Sequence, residues 1–582
     1  MHEGIAMISL LKLCIHHIIL LTSECPYDTC RRLLATCYLE QVDSADWPPV
    51  KSTVFIPFTM IKQKKASHQS SNFETIRQQI DTTLVGEAKV EYTELLHDLQ
   101  TSSGMRVIIE GRPGSGKTML VVEISRDWAK GDILPSTLFF LVRLRMLHGQ
   151  EKLTLLSMLS TLFEDLSASG VLESLCSYIT IRSGEGVVFA LDGLDEYSPG
   201  SKDDDFIHKL MTKRCLPKSA VIVTSRPATI QRYRKSASMV IEVVGFTGTQ
   251  IPEYINKYFS DDVQKAQKLI SHLEQHRNLM NTCYLPLHMN MLVFLYEQDI
   301  ELPATETQMY QHFTLSILLR SIHKRKSNNT QVICLNSFGD LSLEDKSVFD
   351  NICQLAFDAT LAMKQFFKSS ELNDKNIFKP GGTESDEATL GLVVVDRQFA
   401  LCGQVEVYSF FHLTFQEYLA AVHIAGLDQS KQQQLVQKYS GNSALTLVWK
   451  FVCGTLDYSI EKSRVIFSHI LYSEACMDVM TKIYFAHESQ QEMGCSYVVR
   501  EGALRLPSKK RLTISDCTAL GYVISKAAAV TPSKRIAIYF ENSYFNSEGI
   551  VAFLQQVVHV LLDLQISLVN LHDYTSSMKL AF

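Results

Sequence analysis

Val107-Ile108-Ile109-Glu110-Gly111-Arg112-Pro113-Gly114-Ser115-Gly116-Lys117-Thr118 decides how the rest of this 582-residue chain is read. An apolar run gives way to closely spaced glycines and then to Lys-Thr at the start of a helical pattern. The spacing is G-x-x-x-x-G-K-[ST], set between a strand and a helix as a phosphate-cradling loop requires. Glycine lets the backbone wrap an anion without Cβ clashes, and the loop amides and the helix N-terminus aim donors and partial positive charge at it. On this reading Gly111, Arg112, Pro113, Gly114, Ser115, Gly116, Lys117, Thr118 and Met119 line a bound nucleotide. Lys117 reaches the β- and γ-phosphates, and the Thr118 hydroxyl ligates Mg²⁺.

Val187-Val188-Phe189-Ala190-Leu191-Asp192 is an apolar strand that ends in a carboxylate downstream of this loop. It reads as a Walker B element in which Asp192 holds Mg²⁺ directly or through water. Asp195 and Glu196 follow at once, so three acids cluster at one strand end, an expensive arrangement without a cation. One of the two positions or deprotonates an attacking water. Taken alone these acids read more readily as a solvated turn capping the next helix; the upstream loop favours the metal reading. Val221-Ile222-Val223-Thr224-Ser225-Arg226-Pro227 is a further buried strand ending in an arginine, and its guanidinium suits a γ-phosphate or the acidic cluster. A surface ion pair is the competing account of Arg226.

The runs Leu138–Leu144, Gly186–Leu191 and Val221–Thr224 are continuously apolar rather than alternating, which means strands covered on both faces. The expected core is therefore α/β, a parallel sheet flanked by helices. A short helix is expected over Glu87–Gln100 before it. Beyond about residue 250 helical periodicity takes over, as in Ile251-Tyr254-Ile255-Tyr258-Phe259. Leu392–Val395 and Glu406–Phe410 resemble two strands of a hairpin, as in a small winged-helix element.

A prior of about 150 residues per domain gives about four units. Apolar residues at 46% and charged residues at 20% supply several cores, and a net charge of −6 gives no global attraction to nucleic acid or to an acidic membrane. The 14 cysteines contain no C-x-x-C pair, against structural zinc and against a secreted disulfide framework; the cytoplasm is the expected compartment. Ala6–Leu21 is apolar but carries Lys12, His16 and His17 and falls short of the about 20 residues a spanning helix needs. A buried N-terminal helix is preferred there to a signal peptide.

The Gly-rich loop, Leu191-Asp192-Gly193-Leu194-Asp195-Glu196 and Thr224-Ser225-Arg226-Pro227, in that order, resemble the NACHT family of STAND nucleotide-binding proteins, the ATPase core of NOD-like receptors. A small residue and paired acids after the Walker B aspartate are the most specific part of that likeness. Ile241–Thr247 with Tyr254-Ile255 looks like the segment that opens the family's helical domain. Tyr284-Leu285-Pro286-Leu287 is similar to its Pro-containing motif, which implies that Pro286 packs near adenine. Thr307–Tyr310 and Phe313 resemble the entry to the winged-helix region, and Phe410-Phe411-His412-Leu413-Thr414-Phe415-Gln416-Glu417-Tyr418-Leu419-Ala420-Ala421 resembles its signature. In the family this histidine contacts the β-phosphate of ADP, a role the resemblance passes to His412. Ser515–Leu520 and Ser547–Leu554 resemble helical parts of leucine-rich repeats, too few for a free-standing array, and a plain helical cap is the other reading.

The resemblance implies an N-terminal region over 1–60, a connector over 61–104 and a nucleotide-binding domain over 105–250. A helical domain over 251–335, a winged-helix domain over 336–425, a second helical domain over 426–505 and a repeat-like or helical end over 506–582 follow. It implies ATP/ADP and Mg²⁺ as cofactors, homo-oligomerisation on activation, a slow ATPase used as a switch in innate immune signalling, and an adaptor and a trigger that the residues do not name. A receptor-derived decoy without its own output is the alternative, and a metabolic P-loop kinase a weaker one.

Overall fold

The computed structural model describes residues 26–43, 59–62, 89–101, 103–111, 114–147, 153–162, 171–197, 205–226, 230–275, 277–325, 337–378, 389–395, 407–442, 445–456, 461–472, 479–499, 503–506, 511–512, 514–530, 536–541, 544–545 and 547–569. Ala6–Leu21 lies outside them. No helix among the described residues is long and apolar enough to cross a membrane.

Five apolar runs become parallel strands: β3 (Arg106–Glu110), β4 (Leu138–Arg143), β5 (Val187–Asp192), β6 (Ala220–Ser225) and β7 (Met239–Gly245). Nearly every residue in them is buried, which is why the sequence shows no alternation. Two more strands, β1 (Thr59–Lys62) and β2 (Lys89–Val90), add antiparallel to the β7 edge, so the order is β2-β1-β7-β3-β6-β5-β4. The expected helix over Glu87–Gln100 is corrected accordingly. Lys89 and Val90 pair across to Ile61 and Met60 as strand, and the helix starts at Tyr92. Val90 is buried in that edge, and pairing with a formed sheet overrides the local helical spacing.

The order leaves β6 between the loop strand β3 and the acidic strand β5, so the carboxyl ends of three strands meet. The helices before and around this sheet are α1 (Pro26–Asp43), α2 (Tyr92–Thr101), α3 (Lys117–Lys130), α4 (Leu155–Leu162), α5 (Val171–Ile181) and α6 (Phe206–Met211). α3 buries Leu120, Val121, Ile124 and Trp128 against the sheet, a spacing that the 3.6-residue turn puts on one face. Arg106, at the opposite end of β3 from the glycine loop, is fully buried and has no acid partner among the described residues; its guanidinium donates to the carbonyls of Met105, Leu210, Leu216 and Ser219. Burial draws its pKa down to about 10, so it stays a cation that ties the turn before β6 to the start of β3.

Helices then dominate: α7 (Gln250–Tyr258), α8 (Val263–Gln275), α9 (Arg277–Thr282), α10 (Pro286–Glu297), α11 (Glu306–Arg325) and α12 (Leu343–Leu361). β8 (Phe366–Lys368), the short α13 (Ser369–Asp374), β9 (Val393–Val395) and β10 (Val407–Phe410) follow, the strands forming an antiparallel sheet in the order β8-β10-β9. The expected hairpin is present, with Val393 opposite Phe410 and Val395 opposite Tyr408. Three-residue β8 was too short to announce itself. α14 (Leu413–Gly426) leaves this sheet and packs on α12 and on α16 (Thr446–Thr455), with α15 (Gln429–Tyr439) between them in sequence. α17 (Glu461–Tyr472), α18 (Val479–Ser489) and α19 (Glu492–Val498) complete the helical part.

The end of the chain is not purely helical. β11 (Ala503–Arg505), β13 (Ile536–Glu541) and β15 (Leu564–Val569) form a parallel sheet, with α20 (Ile514–Val530) and α21 (Ser547–Val557) as the crossovers. β12 (Arg511–Leu512) and β14 (Tyr544–Phe545) pair in parallel beside it, so a strand, short strand and helix recur in the same order.

Candidate nucleotide site

β3 delivers the chain to Gly111, where a Cβ would lie 2.7 Å from both Ser115 Oγ and the Val243 carbonyl oxygen. Gly114 and Gly116 have φ of +75° and +100°, conformations that glycine reaches without strain. α3 starts at Lys117 behind Gly116, an N-cap with no side chain to cap it, so this helix end presents backbone donors to the loop. Ser115 Oγ is buried and has no hydrogen-bond partner among the described residues, as expected of a group placed to meet a ligand's polar atoms. Lys117 Nζ donates to the Gly111 carbonyl at 2.9 Å, laying its stem back along the loop.

Asp192, buried at the end of β5, accepts from Thr118 Oγ1 at 3.2 Å and from Thr224 Oγ1 at 2.6 Å on the same carboxylate oxygen. Thr224 Oγ1 in turn accepts from the Gly193 N–H at 2.8 Å. Gly193, with φ of +82°, turns the chain into the short 3-10 segment Leu194–Glu196 and so keeps Asp195 at the same strand ends. There Asp195 receives Arg226 twice, from the backbone N–H at 3.1 Å and from Nε at 2.9 Å. Between the two accounts of Arg226, this geometry favours the acidic cluster, since the Asp195 carboxylate is only 13% exposed.

Pro286 fills the first turn of α10, where a missing N–H costs nothing, and is buried. The next residue, Leu287, sends its N–H toward the Gly114 carbonyl at 3.4 Å, so the Pro-containing motif abuts the loop. His412 is the N-cap of α14, its Nδ1 accepting from the Thr414 N–H at 3.1 Å. Five residues on, Glu417 comes within electrostatic reach of Arg226, which joins the helical half of the chain to the acidic cluster. Burial pushes the Glu417 carboxyl up to about 7, with Arg226 opposing that shift and Glu306 adding to it. Its Oε2 has no hydrogen-bond partner among the described residues. Met119 is 48% exposed. Arg112, Pro113 and the side chain of Glu196 lie outside the described residues.

Thr224 and Glu417 are the residues that sequence reasoning passed over. Both stood inside quoted motifs, but only the placement of β6 next to β5, and the approach of Glu417 to Arg226, gives them partners.

Residues 105–262 match the NACHT domain family. The human "NACHT, LRR and PYD domains-containing protein 3" is 24% identical over 356 residues, 56% of this chain and 31% of that protein. The chain carries a NACHT domain, the nucleotide-binding domain of STAND NTPases of the NOD-like receptor type. Similar relatives are the human "NACHT, LRR and PYD domains-containing protein 12", 24% identical over 60% of this chain and 34% of its own length, and "Protein NLRC5" of Ictalurus punctatus, 25% identical over 62% and 22%. This NACHT chain thus spans between 22% and 34% of the length of these curated relatives. A solved STAND protein with a tetratricopeptide repeat sensor from Pyrococcus horikoshii aligns over 81% of the chain and 65% of its own, with 11% identity and a TM-score of 0.31, a likeness too loose to bear on the arrangement of parts.

Proposed function

We propose that this NACHT protein is an ATP/ADP-dependent conformational switch. The observation that carries the reading is the convergence of Lys117, Thr118, Asp192 and Thr224 beside the Asp195–Arg226 pair, with Glu417 of α14 facing that pair from the helical half. A group that senses the phosphates is thereby in reach of the part of the chain that would move. The donor set suits nucleotide with Mg²⁺: an orphaned buried Ser115 hydroxyl, glycines a Cβ would fill, and a hydroxyl and a carboxylate side by side. Thr118 and Asp192 would hold Mg²⁺, which supplies charge neutralisation at the phosphates when bound. Lys117 and the loop amides bind the phosphates, Asp195 and Glu196 orient water, and Pro286 flanks the base.

In this reading ADP bridges the loop and His412 in a closed form, and ATP favours an open one. A nucleotide shifts such a balance only by its differential affinity for the two states, so a state-specific contact such as His412 is required. The family resemblance supports a winged-helix role for residues 336–425 and a repeat-like role for the parallel strands at the chain's end. Homo-oligomerisation, the cytoplasm and innate immune signalling are carried over from the relatives on the same footing.

The test is the nucleotide released by acid from the purified protein, wild type beside Lys117→Ala. Near-stoichiometric ADP in the wild type and none in the variant is the expected result. Empty wild type with rapid ATP turnover would replace the switch by an enzyme, and empty, inactive protein would leave a partner-binding decoy.

A further inference from the structure

Beneath His412 runs a line of hydroxyls that the phosphate contacts do not use. Tyr310, on α11, is fully buried, and its ring is fixed among Phe415, Tyr418 and Phe451. Its hydroxyl lies 2.6 Å from Thr414 Oγ1, and Thr414 Oγ1 lies 2.7 Å from His412 Nδ1. The Thr414 backbone N–H points at the same nitrogen at 3.1 Å.

These contacts admit one self-consistent set of protons. A backbone N–H can only donate, so His412 Nδ1 accepts, and a neutral imidazole with an accepting Nδ1 carries its hydrogen on Nε2. The Thr414 hydroxyl, in contact with that accepting nitrogen, donates to it as well. Having spent its one hydrogen there, Thr414 Oγ1 must accept from Tyr310. Reversing the line would set two lone pairs against each other at 2.7 Å and turn the Tyr310 proton toward His288 Nε2, 3.5 Å away. Burial raises the Tyr310 pKa well above its ordinary value, so the phenol remains a donor.

We propose that Tyr310 and Thr414 are positioning residues for the nucleotide, holding His412 neutral with its hydrogen on Nε2 so that the ring offers an N–H to a phosphate oxygen. Two donors on Nδ1 leave no room for a second ring proton, so His412 recognises the anion by hydrogen bonding rather than by charge. The proposal rests on the reading of His412 as a phosphate contact, yet the ring's tautomer can be observed without nucleotide.

The experiment has two arms on the full chain. Histidine ¹⁵N spectra, with His412→Gln identifying the signals, should show an accepting Nδ1 and a protonated Nε2. The opposite tautomer, or a charged ring at neutral pH, overturns the proposal. Release of fluorescent ADP should quicken about five- to tenfold in Thr414→Val and Tyr310→Phe, the loss of one hydrogen bond, and stay at the wild-type rate in Thr414→Ser. In Thr414→Val the Nδ1 resonance should move as well, because one of its donors is gone. Unchanged release with an unmoved Nδ1 resonance sinks the relay. Should wild type and Lys117→Ala alike fail to bind ADP, the nucleotide reading falls, and the spectra still decide the tautomer.

Discussion

Glu417 is a carboxyl that the fold prefers neutral. Its pKa sits at about 7 against an ordinary 4.5, with burial the largest cause, Arg226 opposing it and Glu306 reinforcing it. Between those two values the folded chain keeps a proton that the unfolded chain has lost. Stability from this group therefore falls as pH rises from about 4.5 to about 7 and is level above that. Glu417→Gln should abolish that part of the slope, gaining on wild type by up to about 2–3 kcal/mol between pH 5 and pH 8 in urea unfolding. An equal gap at both pH values would show that Glu417 titrates normally. A second residue-scale prediction concerns Arg234 and Glu110, a buried ion pair just before the loop whose Arg234 Nε and Nη1 and Glu110 Oε2 have no other partner among the described residues. Arg234→Met strands the Glu110 charge and should cost about 3–5 kcal/mol, most of it recovered in the double variant with Glu110→Leu. Residues whose chemistry is set by neighbours in sequence, Lys117, Thr118 and Asp192, were legible from the chain alone. Those set by neighbours in space, Thr224, Glu417 and Arg234, were not, since no spacing rule links Arg234 to Glu110 across 124 positions.

At the scale of elements, the junction between β7 and α10 leaves least room for change. Gly245 has φ of +99°, and a Cβ there would stand 2.3 Å from the Tyr284 carbonyl oxygen, which the Phe246 N–H needs at 2.9 Å. Gly245→Ala should destabilise by more than about 1 kcal/mol and loosen the Tyr284–Pro286 segment beside the loop. Hydrogen exchange at the Phe246 amide would report it; an amide as protected as in wild type would refute it. The five parallel strands were readable because burial on both faces leaves an unbroken apolar run. The edge strands β1 and β2 are shorter and take their conformation from β7, so their residues alone suggested connector and helix.

For the molecule as a whole, a largely buried ionic cluster joins helices far apart in sequence, beside the apolar core that runs through them. Lys450 on α16 lies between Glu306, at the start of α11, and Glu488 on α18. Burial works against its charge, but the two carboxylates hold its pKa above the ordinary lysine value. Lys450→Met removes the cation from between the two buried acids and should lower stability by about 3–5 kcal/mol. Glu306→Gln in the same background should recover part of that loss, and thermal unfolding followed at two wavelengths would show whether it does. None of this was foreseeable from periodicity, which assigns helices to this half but not the partners of their ends.

Glu488 carries a consequence for how the chain can be divided. Its carboxylate accepts from the Glu306 and Thr307 amides at 3.3 and 3.0 Å and from the Thr307 hydroxyl at 2.6 Å, acting as the N-cap of a helix that begins some 180 residues earlier. A fragment stopped after Gly426 would contain every nucleotide-site residue named above and yet take the Glu488 acceptor from the Glu306 and Thr307 amides, leaving α11 only the Thr305 hydroxyl on the Gln308 amide, one turn from Tyr310. Each motif would be present while the helix supporting His412 frayed. Expressed pieces of this protein should therefore gain bound nucleotide in a step when the chain is extended past residue 489, not when the last recognisable motif is reached.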